Sequence, residues 1–304
     1  MINTNCLIVT HGFFGDIFFA TSIAKKLKQE NQFLNIDYLI GFPQVARLVK
    51  NNPYINNVYV SEIPLPSPTH SKLDASKYDK VVRLEPLSFL EPPTIEFQKF
   101  AGVNNPSPGY KVYTDFDYDV FFEAQIDNGE HPFDPNKKFV AVMRNWKEKT
   151  YRFTKEQYNA GIDKPPYGYG GKHRNVEYIV DKLEEKFNII FVGFEPNVSQ
   201  YQTQYIEDES PMSLLFQASM IKNCHAFIGT EGGLANIAAG VGTRTILTGD
   251  FIHQLYGPNG VLKQIDEPKL GPKYYFPNSN HVVLDPFLTD EEVVEQIIKE
   301  LNDV

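Results

Sequence analysis

Two glycine-bearing turns hold the residue types in this sequence best suited to chemistry. The first reads His11-Gly12-Phe13-Phe14-Gly15-Asp16-Ile17, and the second reads Gly229-Thr230-Glu231-Gly232-Gly233-Leu234-Ala235-Asn236. Each follows a short apolar run and opens a helical pattern, which is where doubly wound sheets bind their ligands. Glycine there lets the backbone turn tightly and approach a ligand. The first turn is not the full dinucleotide fingerprint, and the carboxylate of Asp16 beside a phosphate would be repulsive. Asp16 is therefore a candidate base for a hydroxyl proton, with helix capping as the alternative. His11, five residues earlier, is the competing base. In the second turn, Thr230, Glu231, Gly232, Gly233 and Leu234 lead into a helix start. Its free N–H groups and dipole favour an anion such as a diphosphate.

A third feature is basic. Between Lys137 and Arg174 stand Lys137, Lys138, Arg144, Lys147, Lys149, Arg152, Lys155, Lys164, Lys172 and Arg174, against only Glu148, Glu156 and Asp163. Such an excess can neutralise a diphosphate leaving group, although a solvated face accounts for most of these side chains. Arg144, Lys147, Lys149 and Arg152 directly follow a predicted strand and are the candidates for that task.

The elements that must position these turns alternate along the chain. Strands are expected at Cys6–Val9, Asp37–Ile40, Asn57–Val60 and Lys80–Leu84, with helices at Asp16–Gln29, Gln44–Lys50 and Thr94–Phe100. An acidic, proline-bearing stretch from Tyr113 to Pro135 interrupts the series and reads as a linker. A second series follows: strands Lys138–Met143, Asn188–Val192, Ala226–Ile228, Thr243–Leu247 and His281–Leu284, with helices Val176–Lys186, Ser213–Lys222 and Leu234–Ala239. Continuous apolar strands between helices imply parallel sheets covered on both faces. Thr289–Leu301 closes the chain as a helix with a capping-box start at Thr289 and Glu292. The loop from Pro165 to Gly171 reads as a connector or a lid. The expected division is residues 1–134, residues 135–288 and a final helix over residues 289–304.

At 304 residues the chain suits two domains. Its net charge of −9 argues against a nucleic-acid binder, which needs a basic face to displace counterions. Its two cysteines, Cys6 and Cys224, show neither zinc spacing nor a disulfide framework, and suit a reducing compartment. The first residues lack a secretion pattern and no apolar run spans a bilayer, so a cytoplasmic protein is expected, with room for a peripheral position at a membrane surface.

Together these stretches resemble the heptosyltransferases, glycosyltransferase family nine. Gly12-Phe13-Phe14-Gly15-Asp16-Ile17 is similar to the family's N-terminal Gly-x-x-Gly-Asp-Val/Ile turn. Phe227–Thr243 is similar to its strand, acid, glycine and small-helix signature, and Leu255-Tyr256-Gly257-Pro258 to the Tyr-Gly-Pro that follows. The resemblance implies a GT-B architecture: two Rossmann-like doubly wound domains facing a cleft, with a final helix returning toward the first domain. It implies inverting transfer without a metal or other cofactor, from a nucleotide-diphosphate sugar bound mainly by the second domain to a glycan or lipid-linked, lipopolysaccharide-type saccharide. Asp16 matches the family's base, with Gly12, Phe13, Phe14 and Gly15 on the acceptor side. Glu231, Gly232 and Gly233 match the donor-phosphate turn, and Glu195 lies near the family's ribose-binding acid. Thr10 stands where the family has a basic residue, Glu231 where it commonly has Asp, and Lys149 or Arg152 stands in for its lysine.

Three functions fit these residues. The first is glycosyl transfer, with Asp16 as base and Lys147, Lys149 or Arg152 supporting the leaving diphosphate. The second is epimerisation or hydrolysis of a nucleotide sugar. The third is binding without turnover. A dehydrogenase is disfavoured because neither turn carries the full dinucleotide fingerprint.

Overall fold

The computed structural model describes residues 3–10, 14–62, 69–84, 91–114, 133–143, 175–193, 213–230, 232–248, 255–256, 262–263, 281–284 and 288–302. The first sheet holds β1 (Asn3–Val9), β2 (Phe33–Ile40), β3 (Asn57–Val60) and β4 (Lys80–Arg83), all parallel in the order β3-β2-β1-β4. Its helices are α1 (Phe14–Gln29), α2 (Ala46–Lys50) and α3 (Pro93–Phe100). The second sheet holds β5 (Phe139–Met143), β6 (Asn188–Val192), β7 (Ala226–Gly229), β8 (Arg244–Leu247) and β11 (His281–Val283), parallel in the order β11-β8-β7-β5-β6. With it come α4 (Val176–Glu184), α5 (Leu214–Asn223), α6 (Gly233–Val241) and α7 (Asp290–Asn302). The sequence did not signal the short antiparallel pair β9 (Leu255–Tyr256) and β10 (Leu262–Lys263), because two residues are too few to show a period.

Side-chain alternation decides what each sheet face meets. In the first sheet Cys6, Ile8, Ile36, Tyr38, Ile40 and Val82 are buried in the same cluster as Ile17, Phe18 and Ile23 of α1. Leu7, Val9 and Leu39 point the other way, onto Tyr59, Leu73, Tyr78 and Val81. Only a 3-10 turn, Ala75–Lys77, lies along the described part of the segment covering that second face. Pro64, Pro66 and Pro68 precede it, and closely spaced prolines do not sustain a helix. The carboxylate of Asp37 anchors the segment, accepting from the Tyr78 hydroxyl at 2.7 Å and the Asn57 amide at 2.9 Å. Burial pushes the thiols of Cys6 and Cys224 up to about 12, so both stay neutral at physiological pH.

The last helix has the expected start. The Thr289 N–H donates to Glu292 at 2.7 Å, and the Glu292 N–H donates to the Thr289 hydroxyl at 3.2 Å. Its buried residues Val293, Val294, Ile297 and Leu301 share a cluster with Val140, Val142, Ile179 and Leu183 of the second sheet. An Arg244–Glu300 ion pair reinforces that seat. That apolar face is buried against α4 and β5. The acidic stretch (residues 115–132) and the Pro165–Gly171 loop lie outside the described residues. Among the described residues no helix is long and apolar enough to cross a membrane.

One apolar cluster runs through both sheets, joining Ile8, Ile17 and Leu48 to Ala141, Leu215, Phe227 and Ala235. At its centre α6 lies against α1 and the extended residues 110–112. The Val112 N–H donates to the Gly240 carbonyl at 2.9 Å, and the buried Tyr110 hydroxyl donates to the Asn236 carbonyl at 2.6 Å. A Cβ at Gly240 would sit 2.5 Å from Val112 Cγ2 and 2.9 Å from the Tyr110 ring. Gly240→Ala gains about 1 kcal/mol of helix propensity but incurs an overpacking cost of about 1–3 kcal/mol, so a net loss of stability is expected. Val112→Ala in the same chain should recover part of that loss. Equilibrium denaturation of the three variants checks this, and simple additivity of the two substitutions would count against the contact.

Candidate functional site

Strand order places the site. In the first sheet the chain runs outward from β1 to β3 and then returns to β4 on the other side of β1. In the second it steps from β5 to β6 and then to β7 on the other side of β5. These reversals leave crevices at the carboxyl ends of β1 and β4, and of β5 and β7, where open α/β sheets bind ligands. The first glycine turn follows β1 and the second follows β7. Arg144 comes directly after β5 in sequence.

Phe14, Gly15 and Asp16 form the first turn of α1, so the helix begins two residues earlier than its pattern suggested. Asp16 is therefore a first-turn acid, not the cap, and a negative charge is favourable there. It is half-buried. Beneath it lies Tyr38, fully buried, whose hydroxyl donates to the Ile17 carbonyl at 2.9 Å. Burial pushes that hydroxyl above its ordinary range, and the nearby charge of Asp16 adds to the rise. Tyr38 is thus a neutral, fixed support for the start of α1.

The second turn leads into α6 through Gly232, which has φ 156° and ψ −168°, a conformation close to exclusive to glycine. Gly232 is the N-cap and supplies no side-chain oxygen to the first N–H groups of α6. Among the described residues no side chain caps the first N–H groups of α6, and such groups are what an anion would meet. Thr230 is buried and its hydroxyl donates weakly to the Met143 sulfur at 3.7 Å, tying β7 to β5. Leu234 is buried in the joint cluster.

The structure brings the two turns into contact. A Cβ on Gly233 would lie 2.9 Å from the Phe14 ring, which itself packs edge-on against Phe42 at 5.3 Å between centroids. A Cβ on Gly15 would lie 2.7 Å from the Asn236 side-chain nitrogen. Gly15 and Gly233 therefore serve the close approach of α1 and α6, a role their sequence context did not reveal. His11, Gly12, Phe13, Arg144, Lys147, Lys149, Arg152, Glu195 and Glu231 lie outside the described residues.

Two polar residues to which the sequence reading gave no role belong to this region. Asn236 is buried within the apolar start of α6, and its amide donates to the Gly232 carbonyl at 3.1 Å. Gln217 is buried on α5, and its carbonyl oxygen accepts from the Gly193 N–H at 2.8 Å. Gly193, at φ 113°, ends β6 and directly precedes the segment carrying Glu195. A lone amide in an otherwise apolar helical stretch was the available signal for both.

No family model matches the sequence, and no curated protein matches it. Solved structures do match in fold. A glycosyl transferase family 9 protein from Veillonella parvula DSM 2008 superposes with a TM-score of 0.64 at 13% identity, over 99% of this chain and 97% of that one. ADP-heptose LPS heptosyltransferase II of E. coli gives 0.55 at 13% identity, over 98% and 99%. The E. coli heptosyltransferase WaaC with ADP gives 0.53 at 14% identity, over 98% and 99%. The chain therefore has the GT-B fold of the family nine heptosyltransferases, with two Rossmann-like parallel sheets.

Replacing Gln217 by Leu keeps the volume and removes the acceptor for the Gly193 N–H. A loss of about 1–3 kcal/mol is expected from leaving that group unpaired. Hydrogen exchange should show the Gly193 amide losing protection ahead of the strands, and an unchanged rate there would count against the bond.

Proposed function

We propose that this chain is an inverting glycosyltransferase that moves a sugar from a nucleotide-diphosphate sugar to a hydroxyl of a glycan or lipid-linked saccharide. The observation that carries the proposal is the meeting of the two turns. The uncapped start of α6 and the acid in the first turn of α1 lie at the switch points of two sheets and touch through Gly15–Asn236 and Phe14–Gly233. The fold supports the reading, since heptosyltransferases share it over nearly the whole chain.

In this scheme residues 1–134 hold the acceptor and residues 135–288 the donor. The donor's diphosphate lies at the start of α6, by Thr230, Glu231, Gly232, Gly233 and Leu234. The acceptor oxygen attacks the anomeric carbon from the face opposite the leaving group, and the bond from that carbon to the phosphate oxygen breaks. The acceptor proton passes to Asp16, with His11 as the competing base. The negative charge that develops on the departing diphosphate meets the N–H groups of α6 and the cations Arg144, Lys147, Lys149 and Arg152. Glu195 takes the nucleotide ribose. No metal enters the proposed transfer.

Two measurements test this. A thermal-shift panel of ADP, UDP and GDP and their sugars should contain at least one ligand that stabilises the chain, by about 2.7 kcal/mol at 100 times its dissociation constant. A flat panel would remove the donor site. Asp16→Asn keeps the size at that position and should lower transfer by about 100-fold or more, with nucleotide affinity little changed. Near-normal transfer by Asp16→Asn alongside lost activity in His11→Ala would assign the base to His11.

A further inference from the structure

We infer that Asn236 is a positioning residue that couples the two turns, setting the Gly232 carbonyl of the anion-binding turn by reference to the backbone of Gly15, one residue before Asp16. The inference rests on the proposed donor site and names a residue that would not itself touch the substrate.

Asn236 is 8% exposed in a helix start otherwise made of glycine, leucine and alanine, so its amide needs internal partners. Gly232 meets that need: its carbonyl accepts from the Asn236 backbone N–H at 3.0 Å and from the Asn236 side-chain nitrogen at 3.1 Å. The same nitrogen stands 2.7 Å from where a Gly15 Cβ would be, leaving no room for a side chain at position 15. The Tyr110 hydroxyl, from the first sheet's own chain segment, donates to the Asn236 carbonyl at 2.6 Å. Tyr110 in turn packs edge-on against Phe19 of α1, with centroids 5.2 Å apart. Asn236 is therefore held from the first domain at two points while it holds Gly232, the residue at the N-cap of α6. A displacement of α1 moves the amide, and the amide moves the Gly232 peptide that precedes the anion-facing N–H groups.

A double-mutant cycle on the full chain separates this coupling from ordinary packing. The probes are ADP, UDP and GDP by calorimetry, the tightest being carried through Gly15→Ala, Asn236→Ala and the double variant, with melting temperatures recorded beside the affinities. Asn236→Ala should weaken the nucleotide about five- to tenfold, the effect of one buried hydrogen bond. Gly15→Ala, although it lies in the other domain, should weaken it by a similar factor because the new methyl displaces the amide. The double variant should bind no more weakly than Asn236→Ala alone, since the methyl then fills space the amide has left. The double variant also has room to fold if Gly15→Ala does not, and its comparison with Asn236→Ala alone then carries the test. Losses that multiply in the double variant, or unchanged affinity in either folded single variant, overturn the coupling and leave the donor site standing. Absence of binding of all three nucleotides by the unaltered chain overturns both.

Discussion

The close approach of α1 and α6 is the contact on which both turns depend for their placement. Helix axes usually stay 8–10 Å apart because side chains intervene. Here Gly15 faces the Asn236 amide, Gly233 faces the Phe14 ring, and Gly240 faces Val112 and Tyr110, each without room for a Cβ. The three α6 positions 233, 236 and 240 follow helical spacing, so one stripe of that helix is shaped to the first domain. Because the contact lies at the N-terminal ends of both helices, it joins the carboxyl edges of the two sheets. The fold thereby sets the two carboxyl edges against one another, instead of leaving them on separate bodies.

Much of this arrangement was legible from residue types. Strands such as Val140-Ala141-Val142 and Phe227-Ile228 are continuous apolar runs because parallel strands are covered on both faces, and such runs stand out without any partner being known. The Thr289/Glu292 start was legible because a capping box is completed within four residues. What the sequence could not show was long-range. Gly15 and Gly233 read as ligand-approach glycines, and a glycine needed for helix contact is written with the same letter. Asn236 and Gln217 were visible as lone polar residues, but their partners, Gly232, Tyr110 and Gly193, become apparent only once the chain is folded.

The shared apolar cluster has a consequence for motion. Enzymes built from two sheets commonly open and close about a hinge, and a hinge is cheapest where few contacts cross it. In this chain Ile17 and Leu48 share buried surface with Leu215 and Ala235, so one flank of the domain pair is a continuous core. Burial of this kind stabilises by about 25 cal/mol for each Å² of apolar surface, and separating the domains along this flank would forfeit that term. For the proposed enzyme, an opening that keeps this burial pivots near α1 and α6, with the larger displacements occurring away from their contact.

For the proposed transfer, that geometry suits an acid at position 16 to accept a proton. A base must come within about 3 Å of the hydroxyl it serves, and an error of an ångström can cost about 100-fold. A carboxylate on a freely hinged domain would not hold such a distance from a donor bound on the other domain. Asp16 follows the one residue of α1 whose bare Cα touches Asn236, and Tyr38 fixes the carbonyl of the residue after it. Its backbone is thus bracketed on both sides by buried contacts, one of them to the domain that carries the anion turn. The constraint that removes a side chain at Gly15 is the same one that fixes the next residue along, and this places the proposed base where the two sheets are least free to move apart.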